Sequence, residues 1–200
     1  MSSTRSAQAL VEAAVALIAG SGLDGLTLSQ VARRARVSRA TAYREFGDKE
    51  GLIAAVAQHE VGAMISATVA GVDMRADPAT IVRSTVLFAL RYLRGHEAFT
   101  YIRDHEPHWL LNAALVAGDA TSVPVVRDTA SQAPAGMNLV QTVAALVAPV
   151  ISAPDDRLAL EPFQAAELVV RNVLSHSLIE QSALSDEQVA DAMTRAISTR

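Results

Sequence analysis

The chain has 200 residues, half of them apolar, enough for one sizeable domain or a small one fused to a medium one, so disorder is excluded as its overall state. It has no cysteine, which rules out a disulfide framework and any thiolate metal site. The net charge of −4 argues at first against a nucleic-acid partner, but the charge is uneven along the chain. Residues 1–50 carry seven basic groups (Arg5, Arg33, Arg34, Arg36, Arg39, Arg44, Lys49) against five acidic ones (Glu12, Asp24, Glu45, Asp48, Glu50), a balance of +2 that leaves −6 for the rest. Residues 27–44 hold five arginines and no carboxylate, and a local basic patch on an acidic protein still attracts phosphate. Aromatic residues make up only 4%, while Ala, Val and Leu dominate, a composition suited to close-packed helices. The expected fold class is all-α.

In chain order, Ala7, Leu10, Val11, Ala14, Leu17 and Ile18 form the stripe of an amphipathic helix that Gly20 and Gly22 end. Arg5 followed by the apolar stretch 7–19 has the outline of a signal peptide, but Glu12 interrupts it and its period is helical. No unbroken apolar run approaches the roughly 18 residues of a transmembrane helix, so a cytoplasmic protein with no membrane partner is expected. Thr27-Leu28-Ser29-Gln30 fits a capping box and opens a second helix with Leu28, Val31, Ala32 and Ala35 inward. Ser38 is placed to cap a third helix, residues 39–46.

Two short helices joined by about three residues, the second rich in Arg, Thr and Tyr, suit docking in a DNA major groove. Ala42 and Phe46, four apart, take the core side. Arg39, Ala40, Thr41, Tyr43 and Arg44 are left for the DNA side. Arg39 has the geometry to pair with guanine O6 and N7, and the methyl of Ala40 or Thr41 to meet a thymine methyl. Tyr43, Arg44 and Lys49 suit phosphates, which set register without reading sequence. The plainer reading is three packed helices with a solvated arginine face, and for the Arg33-Arg34 pair alone that reading is preferred.

Thr27, Val31, Ala32, Ala35, Val37, Ser38, Tyr43, Phe46, Lys49 and Leu52 stand at the spacings T-x-x-x-(V/I)-A-x-x-A-G-V-S-x-x-x-x-Y-x-x-F-x-x-K-x-x-L, which resembles the signature of the TetR family. The resemblance implies a first helix that buttresses the pair, a fourth beginning near Asp48 that links to a ligand domain, and operator contacts centred on residues 38–44. One position departs from the pattern. Arg36 stands where the family has its turn glycine, and a non-glycine residue at positive φ is uncommon and mildly costly. Arg36 is therefore read either as a slightly different turn or as an added phosphate contact.

From Asp48 a long helix is expected through Ile65 to Gly71, then one over about 79–94, another over about 97–105, and one that Pro107 starts. Residues 118–136 lose periodicity and read as a long loop. Helices resume over 138–151 and 162–181, and a capping box at Ser185-Asp186-Glu187-Gln188 announces the last. About nine helices are expected, divided into a DNA-binding domain over 1–47 and a ligand-binding and dimerisation domain over 48–200. The resemblance implies a homodimer through the last two long helices, matched to a palindromic operator.

His96, His105 and His108 cluster with Glu97, Asp104 and Glu106, which invites a metal reading, but Pro107 breaks the helix that two histidine ligands would share. No metal and no cofactor are expected. Ser175-His176-Ser177 contains nucleophile and base types whose side chains diverge on a helix, and neither a Gly-x-Ser-x-Gly elbow nor a glycine-rich phosphate loop occurs, so no enzyme is expected. Phe88, Tyr92, Trp109, Asn112, Asn172 and His176 are candidates to line a site for a small, largely apolar ligand, with core packing the default for the aromatic ones. Three rival classes remain: a helical ligand-binding protein with a vestigial reading head, a protein that coats DNA without sequence preference, and an enzyme.

Overall fold

The computed structural model describes residues 2–115, 138–151, 159–179 and 181–197. All regular structure among them is helical: α1 (Ser2–Ser21), α2 (Leu28–Arg34), α3 (Arg39–Phe46), α4 (Lys49–Gly71), α5 (Pro78–Gly95), α6 (Glu97–His105), α7 (Pro107–Leu115), α8 (Leu139–Ile151), α9 (Pro162–Leu178) and α10 (Asp186–Ile197). That is ten helices among the described residues, where about nine were expected. The loop read over residues 118–136 lies outside the described residues.

The helices gather into two compact units, and the division falls inside α4, between residues 61 and 62. The first unit holds α1 to α3, the first part of α4, and also α6 and α7. Its core joins Leu10, Val11, Ala14 and Ile18 of α1 to Leu28, Val31 and Ala32 of α2, Ala42 of α3, Leu52 and Val56 of α4, and Ala98 of α6. The buried α1 residues recur at three- and four-residue spacing, so one stripe of that helix serves α2, α3 and α6 together. This packing division differs in kind from a functional division at residue 47, which concerns binding rather than contact.

The second unit holds the remainder of α4 with α5, α8, α9 and α10. Here α8 lies along α9, and α10 along α5. Its buried residues include Val82, Val86 and Leu90 of α5, Val143 and Val147 of α8, Val169 and Val173 of α9, and Val189 and Ile197 of α10. Two hydroxyls in this unit, Thr85 Oγ1 and Ser177 Oγ, are buried without a hydrogen-bond partner among the described residues.

Polar side chains start most of these helices by meeting the amides that a helix N-terminus leaves unpaired. Asp77 accepts the Thr80 N–H at 3.1 Å ahead of α5, and Asn138 accepts the Gln141 N–H at 2.9 Å ahead of α8. Ser185 and Gln188 form the reciprocal box expected at α10, at 3.3 and 2.9 Å. By contrast α9 stops at Leu178, short of the expected 181, because Ile179 turns to extended backbone. A second correction concerns α4, which is long and apolar enough to cross a membrane by length and composition. Its Ala, Val and Gly residues are interrupted by single polar ones, which hid this from a search for an unbroken run. Leu52 and Val56 of the same helix lie in the core of the first unit.

Candidate nucleic-acid interface

Thr27 caps α2 in the expected box: its Oγ1 accepts the Gln30 N–H at 3.2 Å, and the Gln30 side-chain oxygen accepts the Thr27 N–H at 2.9 Å. The helix ends in a Schellman turn, in which the Val37 N–H reaches the Ala32 carbonyl at 3.0 Å and the Arg36 N–H reaches Arg33 at 3.3 Å. That turn needs a left-handed residue at its centre. Arg36 supplies it at φ 57°, the one non-glycine residue with positive φ among those described. The expectation that the missing glycine has a conformational cost therefore has a definite site.

Ser38 then caps α3, its Oγ accepting the Thr41 N–H at 3.0 Å and lying 2.9 Å from the Thr41 hydroxyl. Ala42 is 1% exposed and Phe46 packs on the same core, which fixes how α3 is rotated. Arg39, Ala40, Tyr43 and Arg44 face outward, Tyr43 at 53% exposure, with Thr41 half-buried beside Ser38. Gly47, at φ 77°, ends α3, and Asp48 accepts the Gly51 N–H at 2.8 Å to start α4.

Four arginines in other parts of the chain are neutralised locally, Arg83 by Asp191, Arg94 by Asp186, Arg103 by Asp104 and Arg171 by Glu167, while Arg5, Arg75, Arg91 and Arg195 have no ion pair among the described residues. In the helix pair Arg44 lies 3.3 Å from Glu45, whereas Arg33, Arg34, Arg36 and Arg39 are exposed and have no ion pair among the described residues. Four uncompensated guanidinium groups within seven residues make an electropositive surface. Lys49 is differently placed from a simple phosphate anchor: its Nζ donates to the Asp24 carbonyl at 2.9 Å and lies 5.9 Å from the centre of the Trp109 ring.

Of the candidate ligand-site residues, Phe88 and Tyr92 stack on α5 with ring centres 6.3 Å apart, and Phe88 lies so close over Gly71 that a side chain there would collide with its ring. Asn172 donates to the Leu168 carbonyl at 2.8 Å, and His176 Nε2 lies 3.1 Å from Asp186 Oδ1. Those four belong to the second unit. Trp109 and Asn112 belong to the first, where Trp109 packs against the core and donates from Nε1 to Asp24 Oδ1 at 2.9 Å, while Asn112 is exposed.

The histidine and carboxylate cluster is dispersed in the same way. His96 caps α6 by accepting the Phe99 N–H at 3.2 Å on Nδ1 and bonds through Nε2 to Glu60, and this hydrogen bond holds the Glu60 carboxyl below the usual range. His105 stacks on Tyr101 at 4.4 Å. Arg103 binds Asp104 at 2.6 Å and lowers its pKa. Glu106 is turned inward, accepting two backbone amides at Leu23 and Asp24. No group of three or more potential ligands for a metal ion occurs among the described residues. No neighbouring residue in the chain marks the roles of His96 and Glu106, whose partners lie 36 and 83 residues away.

The described residues, helical in all their regular structure and carrying a capped helix-turn-helix with an uncompensated arginine surface, have the architecture of a helix-turn-helix protein. Residues 10–56 match the family described as bacterial regulatory proteins, tetR family. The chain is 39% identical over 78 residues to the HTH-type transcriptional regulator BetI of Burkholderia cenocepacia, covering 38% of this chain and 40% of that protein. It thus spans about two fifths of the length of the curated relatives it matches. Among solved structures, the multidrug binding protein EbrR complexed with imidazole superposes with a TM-score of 0.65 at 18% identity, over 96% of this chain and 90% of that one. The Rhodococcus erythropolis transcriptional repressor QsdR does so with a TM-score of 0.63 at 16% identity, over 98% and 96%. These two likenesses concern the fold. Over residues 10–56 the chain is similar to the TetR family of bacterial regulators.

Proposed function

We propose that the chain is a sequence-specific DNA-binding transcriptional regulator, acting as a homodimer on a palindromic operator and released from it by a small ligand. The observation that carries this reading is the rotation of α3: Ala42 and Phe46 hold it to the core while Arg39, Ala40, Tyr43 and Arg44 face outward beside unpaired arginines. Arg39 is the base reader, with Ala40 and Thr41 offering methyl contacts. Tyr43, Arg44 and Arg36 fix the register on phosphates, Thr27 and Ser38 are further residues of the DNA side, and Lys49, whose ammonium is tied to the Asp24 carbonyl, reaches a phosphate only with its remaining N–H groups. Residues 1–47 form the DNA-binding domain, and residues 48–200 the ligand-binding and dimerisation domain.

Dimerisation through α9 and α10 gives the two-fold symmetry that a palindrome needs, with half-sites about one DNA turn apart. The ligand is small and largely apolar, with the stacked Phe88 and Tyr92 as its wall and Asn172 and His176 of the same unit as further candidates, whereas the sequence candidates Trp109 and Asn112 belong to the other unit. EbrR, which shares the fold, is a multidrug binding protein, and that favours a small organic effector here. Release is ordinary linkage, since a ligand preferring the DNA-incompetent state weakens operator binding by the factor with which DNA weakens ligand binding.

The test is a titration of the intergenic DNA upstream of the chain's own gene, with random duplex as competitor, for the wild type and for Arg39→Ala and Tyr43→Ala. Arg39→Ala is expected to cost about 1–3 kcal/mol and to relax specificity. Unchanged affinity in both variants excludes α3 as the reading helix. Equal binding to both duplexes by the wild type favours a non-specific DNA-coating protein instead.

A further inference from the structure

We infer that Glu106 is a positioning residue for the DNA interface, holding the start and the end of the helix-turn-helix to one corner between α6 and α7. The inference rests on the DNA-binding reading above. Glu106 follows the last residue of α6 and precedes Pro107, the first of α7, and it is 7% exposed. A carboxylate is almost never buried unless its charge is met. Here two consecutive backbone donors meet it: the Leu23 N–H at 2.6 Å on Oε2 and the Asp24 N–H at 3.1 Å on Oε1. Gly22 makes room for this clamp, since it lies at φ 73° and a Cβ there would overlap the Glu106 carboxylate.

The clamp continues through Asp24. Its carbonyl accepts Lys49 Nζ at 2.9 Å, and its carboxylate accepts Trp109 Nε1 at 2.9 Å, with His108 Nε2 3.5 Å away. Lys49 in turn faces the Trp109 ring, three residues beyond Glu106, which closes the network. The turn that Glu106 grips is completed by the Leu26 N–H on the Leu23 carbonyl at 3.1 Å, and the next residue is Thr27, the cap of α2. Lys49 is the first residue of α4, three after α3 ends. Both ends of residues 27–46 are therefore tied to one place by directional bonds.

Apolar burial around Leu10, Val31 and Leu52 already supplies cohesion. A buried charge adds little net stability by comparison, while its hydrogen bonds tolerate few geometries, so its contribution is to pose. Sequence reading depends on pose to a fraction of an ångström, whereas attraction to phosphate does not.

The test uses the full chain, its upstream intergenic duplex and a random duplex of equal length, across a salt series and with thermal melting. Glu106→Gln keeps the shape but turns an amide NH2 toward one of the two backbone donors. The expected result is about a tenfold loss of preference for the intergenic duplex, with random-duplex affinity and salt slope unchanged because every arginine remains. Trp109→Phe, which keeps the ring and removes the bond to Asp24, is expected to lose about threefold. A preference that survives in Glu106→Gln while the melting temperature falls overturns the inference. Where Glu106→Gln does not fold, an unchanged preference in Trp109→Phe overturns it equally. A wild type without preference removes the DNA-binding reading and this inference together, whereas preference lost in Arg39→Ala but kept in Glu106→Gln removes this inference alone.

Discussion

Val37 donates its backbone N–H to the Ala32 carbonyl at 3.0 Å, a bond that closes only because Arg36 adopts φ 57°. The left-handed conformation costs a non-glycine residue about 1–2 kcal/mol, and glycine gives back about 0.5–1 kcal/mol through its freer unfolded chain. Arg36→Gly is therefore expected to stabilise the protein by up to about 1 kcal/mol in urea denaturation. If the guanidinium binds phosphate, the same variant lowers the salt slope of operator binding by about 0.9; unchanged or tighter binding excludes a useful contact.

At the next turn, Ser38→Ala removes the acceptor of the Thr41 N–H and the neighbour of the Thr41 hydroxyl. A loss of about 1 kcal/mol is expected, and Ser38→Asp, which keeps the cap, should recover most of it in the same denaturation. If the proposed interface is right, its operator affinity should nevertheless fall, because a carboxylate is placed beside Arg39 on the surface proposed to meet phosphate.

How far the sequence discloses this arrangement depends on the range of each interaction. The boxes at Thr27 and Ser185, the cap at Ser38 and the departure at Arg36 each involve partners within five residues, and all are legible in the chain. The rotation of α3 is legible too, since Ala42 and Phe46 are one turn apart. Glu106, Asp24 and Trp109 meet across 82 to 85 residues, and nothing near any of them in sequence marks the others. In sequence Trp109 consequently reads as a core aromatic or a candidate for a ligand site, and Glu106 as one member of a histidine and carboxylate cluster for which no metal is expected. The inclusion of α6 and α7 in the first unit is invisible for the same reason: amphipathic period shows that a helix buries a face, not which partner covers it.

Ser177 and Thr85 are 3% and 4% exposed, and their hydroxyls have no hydrogen-bond partner among the described residues. An orphaned buried hydroxyl costs about 1–3 kcal/mol, part of which a substitution recovers. Ser177→Ala and Thr85→Val are expected to leave stability unchanged or raise it by about 1 kcal/mol in chemical denaturation. A loss above that magnitude would mean that each hydroxyl has a partner in solution.

Asp186 opens α10 and receives Arg94 first of all, with His176 a lesser partner, and these hold its carboxyl below the usual aspartate range against the opposing effect of burial. A carboxyl whose folded pKa is depressed contributes stability that is present above its unfolded value, about 3.9, and lost as pH falls through the lower folded value. Asp186→Asn should therefore melt below the wild type at pH 7, with the two curves converging below about pH 4. Parallel curves across that window would exclude the linkage.

The 83-position separation of Leu23 and Glu106 also bears on how the protein is made. During synthesis, α1 to α3 leave the ribosome long before α6 exists, and until then the face of α1 that α6 covers stays open to water. The amides of Leu23 and Asp24 must meanwhile be hydrated. A fragment truncated near residue 61 would keep α3 yet lack this cover, so it should be prone to proteolysis and self-association. The compact unit that carries α3 is therefore assembled from two separated stretches of chain, and it is complete only once translation has passed residue 106.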